Sequence, residues 1–153
     1  MTWLEHKVPP PVVGVVVGLL MWGLSQLGAP LPLADLPRYA ATSILVAIGL
    51  GFDVLGLLAF RAKRTTVNPL RPDKASALVD GGVYRITRNP MYVGMLCLLL
   101  GWVAFLASPL ALIGPVLFVL YITRFQIIPE ERILRERFGE SYEQYLRQVR
   151  RWI

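Results

Sequence analysis

Arg88-Asn89-Pro90, followed at once by Tyr92 and Gly94, sets a guanidinium, an amide and a phenol at what reads as the first turn of a helix. Asn89 is a good N-cap and Pro90 suits the first helical position, so capping explains part of this cluster without a ligand. Gly94 is harder to explain, because glycine costs stability in a helix interior unless something must approach closely. A helix N-terminus with Arg88 beside it and Gly94 one turn on is suited to a carboxylate or a phosphate. The second cluster is Pro129-Glu130-Glu131, two adjacent acids between Arg124 and Arg132. Glu131 can pair with Arg135 at i,i+4 and leave Glu130 in water. Otherwise one acid faces a basic cavity formed by Arg88 and Arg124, where it accepts hydrogen bonds from ribose hydroxyls or an adenine amine. A third acid, Asp53, stands in an apolar stretch, where a carboxyl is expected to face the bundle interior and to find either an arginine or a substrate.

Other chemistries are poorly supplied. One cysteine, Cys97, and one histidine, His6, lie far apart, so no transition-metal site is expected and Cys97 reads as packing. No Ser-His or Cys-His pair presents itself. The net charge of +6 accompanies 55% hydrophobic residues, a combination that points to a membrane and its anionic headgroups rather than to nucleic acid.

The elements that must carry these clusters are apolar runs at 11–27, 39–60, 90–107 and 110–128, with a loop at 61–89 and a polar segment at 129–153. The expected fold is all-α: a single domain over 1–153, a polytopic membrane bundle of about four helices with a cytosolic helical segment at the carboxy end. The first run lacks a small-residue cleavage pattern and reads as a retained helix. Lys and Arg fall at Lys7, at seven positions between Arg61 and Arg88 and at seven from Arg124 onward, against Arg38 alone in the opposite loops. The positive-inside rule then places both termini and the middle loop in the cytoplasm. Gly14 and Gly18 give a weak helix-packing signal that leaves a homo-oligomer open.

Asn68-Pro69, Arg71-Pro72 and Asp80-Gly81-Gly82 punctuate the middle loop, which reads as ordered coil. Beyond Glu130 the pattern is helical, Gly139 reads as a stop, and Tyr142, Tyr145, Leu146 and Val149 form the inward stripe of a second short helix on the cytosolic surface. Arg150-Arg151-Trp152-Ile153 reads as a basic aromatic anchor or the edge of a lid.

Taken in order, Thr65-Thr66, Leu78-Val79 with Gly82 and Tyr84-Arg85, then Arg88-Asn89-Pro90-Met91-Tyr92 with Gly94, then Glu130-Glu131, Phe138-Gly139, Tyr142, Tyr145 and Arg151-Trp152-Ile153, the second half of the chain resembles the isoprenylcysteine carboxyl methyltransferase and phospholipid methyltransferase group of integral membrane enzymes. The resemblance implies methyl transfer from S-adenosylmethionine, with S-adenosylhomocysteine as product, in a pocket between the helices and the carboxy-terminal segment. It also implies that Arg88, Asn89, Pro90, Tyr92, Gly94, Glu130 and Glu131 hold the cofactor. Isoprenylcysteine enzymes usually carry histidine where this chain has Asn89, a departure that leaves the acceptor unassigned by the resemblance.

Methyl transfer from a sulfonium is an in-line displacement that needs orientation and exclusion of water more than a strong nucleophile, which suits this inventory. A carboxylate or thiolate acceptor is expected to be held by Arg85, Arg124 or Arg151, and an amine acceptor to lose its proton to Glu130. Asp53 and Tyr84 are expected alongside Arg151 as substrate contacts, the substrate being a small amphiphile. Two other readings compete: an NADPH-dependent membrane reductase and a non-catalytic lipid-binding protein.

Overall fold

The structure, a computed structural model, describes residues 5–63 and 77–153. Thr65, Thr66 and the turn formers from Asn68 to Pro72 lie outside the described residues. Among those described there are helices and no strands: α1 (Pro10–Ser25), α2 (Asp35–Ala62), α3 (Pro90–Leu106), α4 (Ile113–Ile122) and α5 (Ile128–Gln148). The starts follow from proline. α1 and α3 both open on a proline, whose missing N–H has no intrahelical partner to lose in a first turn. The same logic corrects one boundary: α2 begins at Asp35 rather than 39, because Pro37 is tolerated in a first turn and Asp35 favours the positive helix end.

α3 ends where Ala107 takes a left-handed conformation (φ 48°), and the Ser108-Pro109 break leads through a 3-10 turn, Pro109–Leu112, into α4. Arg38, in the first turn of α2, caps this corner. Its Nε donates to the Phe105 carbonyl at 2.7 Å, its Nη2 donates to the same oxygen, and its guanidinium lies 5.3 Å from the Phe105 ring centroid. A further 3-10 turn, Gly82–Arg85, stands where coil was expected.

Between α4 and α5 the helix does not stop but widens into a π-turn, Thr123–Ile127. Pro129 supplies the reason. It has no N–H for the Phe125 carbonyl four residues back and its ring would crowd that oxygen. The turn opens, and the Phe125 carbonyl accepts the His6 backbone N–H instead, at 3.2 Å. At Gly139 (φ 50°, ψ −124°) α5 is broken as expected, and Tyr142, Tyr145 and Val149 beyond it are buried with Val79, Val83 and Tyr84.

α1, α3 and α4 pack on one another around Met21, Leu99, Phe118 and Ile122. Gly114 makes room for Met21, and Trp102 donates to the Gly18 carbonyl at 3.1 Å. α2 lies along the other side of α3 through a seam of small residues. A Cβ at Gly49 would stand 2.8 Å from the Gly94 carbonyl oxygen, and one at Gly56 would stand 2.9 Å from Met91. Such seams let backbones approach closely where hydrophobicity drives little association.

Two helical stretches, Asp35–Ala62 and Pro109–Gln148, are long and apolar enough to cross a membrane, while Pro10–Ser25 and Pro90–Leu106 are apolar but shorter. The apolar part of the second stretch ends at Ile128. Burial decides what the first of them is for. Only 11% of the apolar window of α2 is buried, and Leu36, Leu50, Val54 and Leu58 are exposed, so α2 is not the core helix of a water-soluble domain. The protein is membrane-associated.

Candidate functional site

The amino end of α3, the first turn of α5 and the chain beyond Val149 converge in one corner. Val149 is extended (φ −124°, ψ 135°), and the tail runs back across residues met some 60 positions earlier. The Arg88 backbone N–H donates to the Arg150 carbonyl at 3.0 Å. The Arg151 carbonyl accepts from Thr87 Oγ1 at 3.2 Å and from Asn89 Nδ2 at 2.8 Å. Trp152 Nε1 donates to Thr123 Oγ1 in the π-turn at 3.1 Å, and the Tyr145 hydroxyl donates to the Tyr84 carbonyl at 2.7 Å.

Inside this frame the two acids part company. Glu131 is buried and takes a two-pronged contact from Arg151, Nε to Oε1 at 2.9 Å and Nη2 to Oε2 at 2.8 Å, with Arg88 Nη2 3.4 Å from Oε1. Burial pushes its carboxyl up, but the hydrogen bonds of Arg151 and the charges of Arg88 and Arg151 outweigh it, and the net direction is down. Glu130 Oε1 accepts the Tyr92 hydroxyl at 2.6 Å, and Oε2 has no hydrogen bond among the described residues. Here burial dominates, the Tyr92 hydrogen bond opposes it and the Glu131 charge adds to it, so the carboxyl is pushed up to about 8. Two neighbouring glutamates are thus an ion-paired carboxylate and a group able to hold a proton near neutral pH.

The expected residues fall into two groups. Arg88, Asn89, Pro90, Tyr92, Glu130, Glu131 and Arg151 come together, with Tyr84 buried beside them under Tyr145. Arg124, Arg85, Gly94 and Asp53 do not join them. Arg124 does not build a cavity with Arg88: its Nη1 lies 3.5 Å from Glu5, an acid the sequence reading passed over. Arg85 is exposed on its 3-10 turn. The close approach that Gly94 permits is that of α2, since a Cβ there would collide with the Asp53 carboxyl and stand 2.8 Å from the Gly49 carbonyl oxygen. Tyr92 and Gly94 are two residues apart and so about 200° apart around α3. That puts α3 between Asp53 and Glu130. Asp53 forms no ion pair among the described residues, and its Oδ1 is buried without a hydrogen-bond partner, so of the two partners the sequence left open, an arginine is not found among those residues.

Two local expectations are also corrected. The side chain of Asn89 does not cap α3; its amide is committed to the tail, and its backbone N–H donates to Thr87 Oγ1 at 3.2 Å. Arg135 does not take Glu131 at i,i+4 but pairs with Glu143 at 2.9 Å. Thr87 and Thr123 were missed. Thr87 is fully buried, which only the structure reveals, and neither residue carried a signal in the sequence.

Two guanidiniums on one carboxylate leave Arg88 and Arg151 with surplus positive charge, and Arg88 Nε is buried without a hydrogen-bond partner. The corner therefore has an unmet demand for an anion, and Glu130 Oε2 offers an acceptor beside it.

Comparison with known proteins gives this corner a context. A family model described as phospholipid methyltransferase matches residues 37–141. A probable protein-S-isoprenylcysteine O-methyltransferase of Oryza sativa subsp. indica is 32% identical over 109 residues, 69% of this chain and 56% of the relative. A methanethiol S-methyltransferase of Pseudomonas deceptionensis is 36% identical over 94 residues, 56% of this chain and 32% of the relative. An uncharacterized protein of Haemophilus influenzae is 43% identical over 63 residues, 41% of this chain and 100% of the relative. The chain thus spans between a third and just over half of the two named methyltransferases it matches. No solved structure matches.

Proposed function

Because the chain belongs to the phospholipid methyltransferase family, we propose that it is a membrane methyltransferase that takes its methyl group from S-adenosylmethionine and passes it to a small amphiphilic acceptor at the cytosolic membrane face. The observation that carries the reading is the corner where Arg88 and Arg151 share Glu131 while Glu130 stands beside them on Tyr92. The residues present fit the cofactor. Arg88, with its buried unpartnered Nε, would take the amino-acid carboxylate, and Glu130 Oε2 would accept from a hydroxyl or an amine. When bound, S-adenosylmethionine supplies an electrophilic methyl group on a sulfonium.

The chain's own residues then orient, shield and move a proton. Glu131 and Arg151 fix the direction of the Arg88 guanidinium, so that anion binding does not first have to order it. The docked tail and Tyr142, buried in this corner, keep water from the reacting atoms. Glu130, its carboxyl pushed up to about 8 by burial, would take the proton of an amine acceptor through its ionised fraction, which grows as pH rises toward 8. A carboxylate or thiolate acceptor needs no such base and would rely on the surplus positive charge. The relatives are named for O- and S-methyl transfer, so family membership leaves the acceptor atom open.

The same reading takes α1, α2, α3 and the stretch from Pro109 to Ile128 as four spans, with both termini and the site in the cytosol. The distribution of Lys and Arg supports that orientation.

Calorimetry of the purified protein with S-adenosylhomocysteine, with NADPH as the competing ligand, tests the proposal. Binding of the first and not the second is expected, with loss in Arg88→Ala and Glu130→Ala. NADPH binding alone, or unchanged binding in both variants, overturns it.

A further inference from the structure

The groove between α1 and α4 is walled by Val13, Val16, Val17, Leu117, Leu120 and Tyr121, with a volume of about 700 Å³. Its walls are apolar along their whole length and open outward: Val16 and Leu120 are 60% and 62% exposed. One end is different. Arg124 lines it, lying 5.5 Å from the Phe125 ring centroid.

The charge at that end is unbalanced. Arg124 Nη1 is 3.5 Å from Glu5 Oε1, and Arg132 Nη1 is 3.4 Å from Glu5 Oε2. One carboxylate thus serves two guanidiniums, one on each oxygen. Both distances are longer than a well-formed charged hydrogen bond, and both arginine side chains are about half exposed while Glu5 is nearly covered. The cations are free to turn toward another anion. The carboxylate that holds them is not. An apolar trough of ligand size with surplus positive charge at its cytosolic end matches one kind of molecule in a membrane, a lipid whose chain lies along the trough and whose anionic headgroup meets the two arginines.

We propose that this groove is a binding site for an anionic glycerophospholipid, held by Arg124 and Arg132 at the phosphate and by the valine and leucine walls along one acyl chain. The site is separate from the Glu130 corner and does not depend on the methyl-transfer reading. It also gives Glu5 a role, that of presenting the two guanidiniums side by side at the groove mouth.

Native mass spectrometry of the full chain in detergent, titrated with dioleoyl phosphatidylglycerol or dioleoyl phosphatidylcholine, tests it. A saturable one-to-one adduct is expected with phosphatidylglycerol, and a markedly weaker one with phosphatidylcholine. Arg124→Ala with Arg132→Ala should abolish the preference, at about fivefold for each arginine removed. Arg61→Ala with Arg147→Ala removes the same charge from exposed positions on the same face and should leave the preference intact. Val16→Trp, or Leu120→Trp if the first folds poorly, fills the trough and should abolish both adducts; a thermal melt without lipid checks that each variant is folded. Equal binding of the two lipids overturns the proposal. So does an equal loss in the two double variants, which would mean a diffuse basic face, or an adduct that survives in folded tryptophan variants.

Discussion

The two sides of α3 are held by opposite means. Toward α2 the contact is one of shape: Gly49, Gly56 and Gly94 let two backbones come so close that an added Cβ would strike a carbonyl, a methionine or the Asp53 carboxyl. Toward α5 and the tail it is one of charge and hydrogen bonding, with Arg151 clasping Glu131 and five further donors tying 84–89 and Thr123 to the last turn and tail. The first contact tolerates no added atoms, whereas the second tolerates a loss in proportion to the bonds lost. A ligand that must enter and leave belongs on the second side.

The sharpest way to break this contrast is Gly94→Leu. No rotamer clears the α2 backbone, so α2 must leave α3, and little folded protein is expected by size-exclusion chromatography in detergent. Arg151→Ala should cost less, about 2–3 kcal/mol in a denaturation midpoint series, because Arg88 remains on Glu131. The same variant should weaken S-adenosylhomocysteine binding, which Gly94→Ala in any surviving folded fraction should not do selectively.

Next is a pH effect confined to the polar side. Glu130 has its carboxyl raised from 4.5 to about 8 by burial, so between those values the folded state holds a proton that the unfolded state has lost. The contribution is fully present below 4.5 and is lost as pH rises to 8, so the melting temperature of the wild type should fall across that window. Glu130→Gln should flatten the fall; an unchanged slope would show that Glu130 does not titrate there. The smallest effect is expected for Tyr145→Phe, about 1 kcal/mol, since it deletes one hydrogen bond to the Tyr84 carbonyl and keeps the ring.

What could be read in advance follows the same division. The helix start at Pro90, the break at Gly139 and the buried stripe of Tyr142, Tyr145 and Val149 depend on neighbours within a turn or two, and periodicity carries them. Family resemblance, through Arg88, Tyr92 and the paired acids, reached the corner as well. Pairings across the chain were out of reach. Arg135 was the natural partner of Glu131 by spacing, but Arg151, twenty positions on, has it because the tail folds back. Asn89 has the right chemistry for a cap and a better offer from the Arg151 carbonyl. Arg124 was assigned to the site by charge, and a π-turn that no spacing rule anticipates aims it toward Glu5.

That π-turn sets the phase of everything after it. Relative to an unbroken α-helix it inserts one residue, so a helical wheel drawn from Pro109 through Gln148 puts Glu130 and Glu131 about 100° from where they stand. Deleting a single residue from 123–127 would change almost nothing in composition, hydropathy or length. It would nevertheless rotate both acids off Tyr92 and Arg151 together, so the identity of this corner is written partly in a residue count.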